Sequence, residues 1–384
     1  MNHACTRREF IRGLGATTAG FWLSPRGFLL GGDPPTAPVA VARCRAYGPA
    51  VLPALETMFD QLGGLERLVK GKTVAVKLNL TGMATDRLEY MPVESTHWVH
   101  PQVIGATMHL LGKAGARRIR LLESAYSTAE PLEEFMLQAN WEPRDFTSAA
   151  PRVEFENTNY LSQGKRYSRL HVPGGGLMFS AYDLNHSYED CDFFVSLAKL
   201  KEHVTAGVTL SMKNCFGNVP CTIYGDGAGV DEPSEQPRGG RGMLHDGNRQ
   251  PSKSAASEND PRSPREGGYR VPRVTADLVA ARPIHLAILD GIETMAGGEG
   301  PWVKSTRPVR PGLLIAGTNC VNTDAVGTAL MGFDPKADRG TPPFEECDST
   351  LRLAEQLGLG TRDLGRIEVV GTPIRKAVFR FRTA

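Results

Sequence analysis

The stretch from Thr73 to Ser124 sets the fold class. "TVAVKLNL" (73–80) is a short β-branched run, "PQVIGATMHLLGKAG" (101–115) repeats its apolar residues at helical spacing and closes on glycine, and "ARRIRLLES" (116–124) is apolar again. A strand, a helix and a strand in that order imply a crossover, which lays the two strands parallel. The same rhythm begins at "VAVAR" (39–43), followed by a helical pattern carrying Leu52, Leu55, Met58 and Leu62. It continues through "CDFFVSLAKL" (191–200), "RPIHLAILDG" (282–291), "RPGLLIAGTN" (310–319) with a helix at "TDAVGTALMGF", and "RIEVVG" (366–371). The expectation is an α/β domain over 39–384 with a mostly parallel sheet and helices on both faces. The middle, about 140–190, is more irregular and includes the turn "PGGG" at 173–176. Residues 228–270 are rich in Gly, Pro, Ser and charge and nearly free of large apolar side chains, so they read as one long mobile insertion.

Charge and cysteine usage exclude several classes of function. With 44 basic against 42 acidic residues there is no electrostatic footprint for nucleic acid. The seven cysteines include no Cys-x-x-Cys pair, so no iron–sulfur cluster is expected in this chain. Cys215 and Cys221 are close enough in sequence to allow a disulfide, although an odd count gives no framework.

The first residues carry an address. Arg7 and Arg8 precede Phe10, Ile11 and a modestly apolar Gly/Ala-rich run, which resembles a twin-arginine export signal. Residues 1–38 are therefore read as signal and spacer, with the mature protein periplasmic or otherwise extracytoplasmic. "AVA" at 40–42 mimics a cleavage site but also belongs to the first strand, so cleavage is expected earlier. No later stretch is long and apolar enough to span a membrane. That export route carries folded proteins, often with a cofactor inserted, so the implied partners are the export machinery and a redox partner.

Polar residues gather where the strands end. Lys77 and Asn79 close one apolar run, Glu123 and Ser124 another, and Lys199, Lys201 and His203 a third. Asp290 ends a fourth, and Asn319, Asn322 and Asp324 follow a fifth. In open parallel sheets ligands bind beyond the carboxyl ends of the strands. An Asp or Asn there is most often a cap or turn former. A lysine on a buried strand end needs an acidic partner or a ligand. Lys77, Lys199, Lys201 and Lys213 thus point to a small anion, carboxylate or phosphate. Asn79, Asn214, Glu299 in the loop "MAGGEGP" and Asp324 complete the cofactor- or ligand-binding set. His203, Glu123 and Asp290 are the candidate catalytic acid/base groups, and His203 with Glu123 the candidate metal ligands. No nucleotide-binding glycine fingerprint and no Gly-x-Ser-x-Gly elbow is present.

"VAVKLNL", "HPQVIGATMHLLGKAGARRIRLLES", "SLAKLKEHVTAGVTLSMKNCFGNVP", "LAILDGIETMAGGEGP" and "LIAGTNCVNTDAVGTALMGFDP" resemble successive blocks of the domain-of-unknown-function 362 family, over about residues 39–372. Members of that family often carry twin-arginine signals, and some carry a ferredoxin module that this chain lacks. The insertion at 228–270 departs from the compact pattern and leaves the role of His245 open. "KEHVTAGVTLSMKNCFGNVP" and "LLGKAGARRIRLLES" also echo lactate racemase and its relatives, which use a nickel-bearing nucleotide tethered to a lysine. That resemblance implies Lys213 as tether or phosphate contact and His203 as metal or substrate contact. Two readings follow: an exported enzyme using a metal or prosthetic group on a small anion, isomerase or oxidoreductase, or a non-catalytic anion- or cofactor-binding protein.

Overall fold

Strand direction is the feature on which the position of the site depends. In the computed structural model, residues 33–126, 128–159, 166–237 and 239–382 are described; Arg7, Arg8 and the signal assigned to them lie outside the described residues. The central sheet has eight strands: β1 Val39–Arg43, β2 Thr73–Lys77, β3 Arg118–Glu123, β4 Val153–Asn157, β5 Phe193–Lys199, β6 Leu286–Gly291, β7 Leu313–Gly317 and β8 Val369–Gly371. They lie in the order β8-β1-β7-β6-β5-β2-β3-β4. Every neighbouring pair is parallel except the two made by β7, which runs against both β1 and β6.

Alternation along the strands divides the core in two. Ala75, Phe194, Ala198, Leu289 and Ile315 face one way, against α4 (Gly267–Ala281) and α5 (Cys320–Leu330). Val74, Val76, Val195, Leu197, Ile288 and Leu314 face the other, against α1 (Val51–Gln61) and α2 (Pro101–Lys113). The near-continuous burial of these strands is what a sheet covered on both faces requires. Helix α2 begins cleanly, with Pro101 in its first turn and the His100 ring accepting the Gln102 N–H. A short helix, α3 (Leu210–Asn214), follows β5 and packs against it.

One expectation needs correction. Asn319, Asn322 and Asp324, which follow the strand at 313–317, are expected at the common carboxyl edge. Between β6 and β7 the chain makes only a small hairpin, Thr294–Ala296 with Arg307–Val309, and no crossover helix, so β7 returns antiparallel. Its carboxyl end, Gly317, lies beside Val39 at the start of β1, on the opposite edge. There Asn319 caps α5 and Asn322 bonds to Thr361 and Ala37. The disulfide allowed between Cys215 and Cys221 is absent, both being free thiols.

The segment 228–270 has little regular structure, as its composition implies, but it is packed on the body. Met243 and Leu244 are buried, and the buried Glu258 carboxylate pairs with Arg265 and Arg270. Ionic contacts therefore anchor a stretch too poor in apolar residues to form a core of its own. Among the described residues no helix is long and apolar enough to cross a membrane.

Candidate functional site

Because β2, β3 and β5 are adjacent and parallel, their carboxyl ends open onto one region. A cavity of about 610 Å³ lies there, lined among others by Lys77, Asn79, Glu123, Lys201, His203, Lys213, Asn214 and Glu299. The insertion contributes Arg241 and His245 to the same wall.

Lys77 is fully committed. Its ammonium sits 2.6 Å from Glu123 Oε1, donates to the Leu78 carbonyl at 2.6 Å, and reaches Asn214 Oδ1 at 3.2 Å. Glu123 in turn accepts the Leu80 and Ser124 N–H groups. Asn214 donates to Ser196 Oγ at 3.0 Å, which ties α3 to β5. Burial lowers the Lys77 pKa, against the opposing pull of Glu123. Glycine at 217 makes room for this pair: a Cβ there would lie 3.0 Å from Lys77 Nζ and 3.4 Å from Glu123 Oε1.

Among the described residues Lys201 is held by backbone carbonyls alone, those of His97 at 2.9 Å and Glu299 at 2.7 Å. Burial pushes its pKa well down. Glu299 accepts the Val204 N–H and the Trp302 indole N–H, and lies 3.7 Å from His203 Nδ1. Burial works against the carboxylate, yet the neighbouring His203, in its protonated form, and these donors bring its pKa down to about 2. His203 is driven well below the ordinary histidine value by burial and by the charge of Lys213, so it is neutral near pH 7. Thr205 N–H donates to His203 Nδ1 at 3.2 Å, which places the neutral ring's proton on Nε2.

Lys213 differs from its neighbours. Its ammonium stands 4.2 Å from the Phe216 ring centroid and has no hydrogen-bond or ion-pair partner among the described residues. Burial, with the charges of Arg241 and Lys77, brings its pKa down to about 7 despite Glu299. His245 packs on the same Phe216 ring, 4.8 Å between centroids. Its Nδ1 lies 2.9 Å from the Arg241 carbonyl, which can only accept, so Nε2 carries the free lone pair. Burial and the charge of Lys213 hold His245 at about 4.

Three predicted site residues fall elsewhere. Lys199 and Asp290 form a buried ion pair at 2.9 Å, joined by the Tyr47 hydroxyl and the Glu94 carbonyl. Asp290 also accepts the His100 N–H, which fixes the start of α2. Lys199 and Lys201 are two residues apart, the spacing that shares a face within a strand, but β5 ends at Lys199 and strand alternation no longer governs Lys201. Asp324, predicted to bind the ligand, accepts the Ser211 N–H and hydroxyl and the Met212 N–H, anchoring the first turn of α3. Burial raises its pKa to about 7.

Arg241 and an aromatic rim, not among the residues singled out from the sequence, also belong to the cavity. Arg241 donates to Ser124 Oγ and to the Val219 carbonyl, leaving its charge without a carboxylate. Met83, Tyr126 and Trp302 line the cavity and are 42 %, 45 % and 49 % exposed. Trp302 lies against Gly82, where a Cβ would come within 2.6 Å. The one usable signal is Arg241 and His245 four apart around the only pair of large apolar side chains in that stretch, Met243-Leu244. His203 and Glu123 both line the cavity, but no group of three His, Cys, Asp or Glu side chains among the described residues is placed to hold a metal ion. The donor set suits an anion rather than a bare cation.

Fold and site together define an α/β protein with a cationic cavity at the carboxyl edge of a mostly parallel sheet. A model of the family described as domain of unknown function (DUF362) matches residues 74–329, and the chain belongs to that family. It is 28 % identical over 324 residues to a thylakoid-associated protein, sll1697, of Synechocystis sp., covering 84 % of this chain and 79 % of that one. Among solved structures, a structural-genomics protein from Thermotoga maritima is similar with a TM-score of 0.34 and 13 % identity, over 70 % of this chain and 55 % of that one. The lactate racemase apoprotein of Thermoanaerobacterium thermosaccharolyticum gives 0.32 and 10 %, over 76 % and 56 %. The chain thus spans just over half the length of those two proteins.

Proposed function

We propose that this protein is an exported α/β enzyme that binds an organic anion in the cavity at the ends of β2, β3 and β5. The observation that carries the reading is Lys213, a partly buried cation on the cavity wall with no hydrogen-bond or ion-pair partner among the described residues, beside two further cations, Lys201 and Arg241, that no carboxylate neutralises by contact. Withdrawing such charges from water, wholly for Lys201 and partly for Lys213 and Arg241, is costly unless something anionic joins them. The exposed Met83, Tyr126 and Trp302 suit a ligand with an apolar portion at the mouth and its charge deeper in. The volume agrees, being that of a site for a ligand larger than a two- or three-carbon acid. His203 and His245, neutral near pH 7, and Glu299, ionised, are the groups able to move protons.

The experiment is small-molecule and elemental analysis of protein purified after export from its own host, wild type against Lys213→Met. The account expects an organic anion released on denaturation from the wild type and missing from the variant. The same anion in both, or none in either, would contradict it. The second reading is a binder without chemistry. A His245→Gln protein that binds as before yet leaves the recovered compound unconverted would favour the enzyme; conversion by neither protein would favour the binder.

A further inference from the structure

We propose that Lys213 is a nucleophile, and that it forms an imine with the carbonyl group of an organic acid, an α-keto or aldehyde acid, bound in this cavity. The inference rests on the anion-binding reading above and adds a covalent step to it.

Three observations carry it. The Lys213 amine has no hydrogen-bond or ion-pair partner among the described residues, whereas Lys77 is bound to Glu123, Leu78 and Asn214 and Lys201 to two carbonyls. The helix that bears it is fixed on both sides, by Asn214 bonding to Ser196 and by Asp324 gripping Ser211 and Met212. The charged and titratable groups acting on it are Lys77, Lys201, Arg241, His203, His245 and Glu299; Asp86 also lines the cavity and Glu123 is paired with Lys77, so among the groups acting on Lys213 the cations outnumber the carboxylate. Those cations serve two purposes: they disfavour a proton on Lys213 and they offer a seat for the carboxylate of an incoming acid. A pKa of about 7 leaves roughly half the amine unprotonated at neutral pH, where an ordinary lysine is almost wholly charged.

The chemistry closes without a further reactant. The nitrogen lone pair attacks the carbonyl carbon, a C–N bond forms, and the C=O π pair moves to oxygen, giving a carbinolamine once a proton passes from nitrogen to that oxygen. The C–O bond then breaks, and the two protons of the original amine leave with the oxygen as water. His245, sharing the Phe216 ring with Lys213 and holding a free Nε2 lone pair, is the relay for those protons.

The test uses the whole protein with glyoxylate and cyanoborohydride at pH 7, followed by peptide mass spectrometry. Glyoxylate is small enough to enter irrespective of the rim. The adduct should form on Lys213 about tenfold or more faster than on the exposed Lys253 and Lys336, reflecting its larger neutral fraction. It should vanish from that peptide in Lys213→Arg, with surface labelling unchanged, and slow in His245→Gln. Labelling of Lys213 no faster than of Lys253 would overturn the proposal. Glycolate, which has the carboxylate but no carbonyl, separates the two claims. If glycolate protects Lys213 from amine-reactive reagents but glyoxylate gives no adduct, the nucleophile falls and the anion site stands. If the adduct forms at Lys213 and glycolate does not slow it, the nucleophile stands and the anion reading falls.

Discussion

Lys77 and Glu123 lie 2.6 Å apart with both side chains almost wholly buried, while Lys213, on the same cavity wall, has no carboxylate in contact. Lysines that look alike in sequence therefore differ in what their removal does. Lys77→Met leaves the Glu123 charge buried and unpaired, and Lys199→Met does the same to Asp290, so each should cost about 3–5 kcal/mol. Lys201→Met removes only bonds to carbonyls and should cost about 1 kcal/mol. Lys213→Met removes a partly buried charge that no carboxylate pairs, so it should leave stability unchanged or raise it by up to about 1 kcal/mol. Urea unfolding of the four variants reads the series, and equal losses in all four would contradict the assignment of partners.

Gly217→Ala tests the seat of the Lys77–Glu123 pair. The added Cβ meets the lysine nitrogen at 3.0 Å, so the pair must shift at a cost of about 1–3 kcal/mol. Thermal melts and anion titrations should both worsen; a variant indistinguishable from wild type would show the backbone there to be free to move.

Acid should destabilise the fold beginning near pH 6.5. His245, His100 and His285 are held at about 4, with burial first among the causes, and His97 and His203 are pushed well down as well. Between pH 6.5 and 4 the unfolded chain binds protons that the folded chain refuses, so stability present above 6.5 is lost as pH falls. Asp324 at about 7 and Asp277 at about 6 act the other way, protonating more readily when folded. Five histidines against two aspartates leave a net loss. The melting temperature should fall from pH 7 to 4.5, and less steeply in His245→Gln; a rise on acidification would reverse the sign.

How much was legible follows from what alternation and spacing encode. Strand–helix–strand rhythm is local, so the sheet and its two covered faces could be read from 73–124 and its echoes. Direction is not local: nothing in "LLIAG" says that β7 runs backwards, and Asn319, Asn322 and Asp324 were placed at the wrong edge for that reason. Lys77, Lys201 and Lys213 were visible as charges in buried contexts. Lys199 had the same signature, and only the contact with Asp290 and Tyr47 separates it from them. Arg241 and His245 reach the cavity through long-range packing of an aperiodic segment, which leaves almost no trace in the pattern.

Export is tested at the two arginines. Replacing Arg7 and Arg8 by lysine should leave the protein in the cytoplasm on fractionation. Unchanged export would remove the targeting proposal without touching the cavity.

The central claim, an organic anion held by Lys213, is tested most directly by calorimetric titration of wild type and Lys213→Met with lactate, phenyllactate, citrate and phosphate. The rim of Met83, Tyr126 and Trp302 beside buried cations predicts that phenyllactate binds the wild type more tightly than lactate does. In Lys213→Met its affinity should fall by about tenfold or more, the worth of a charge-assisted contact. Phenyllactate binding that is the same in both proteins, or binding of none of the four anions to the wild type, would contradict the account.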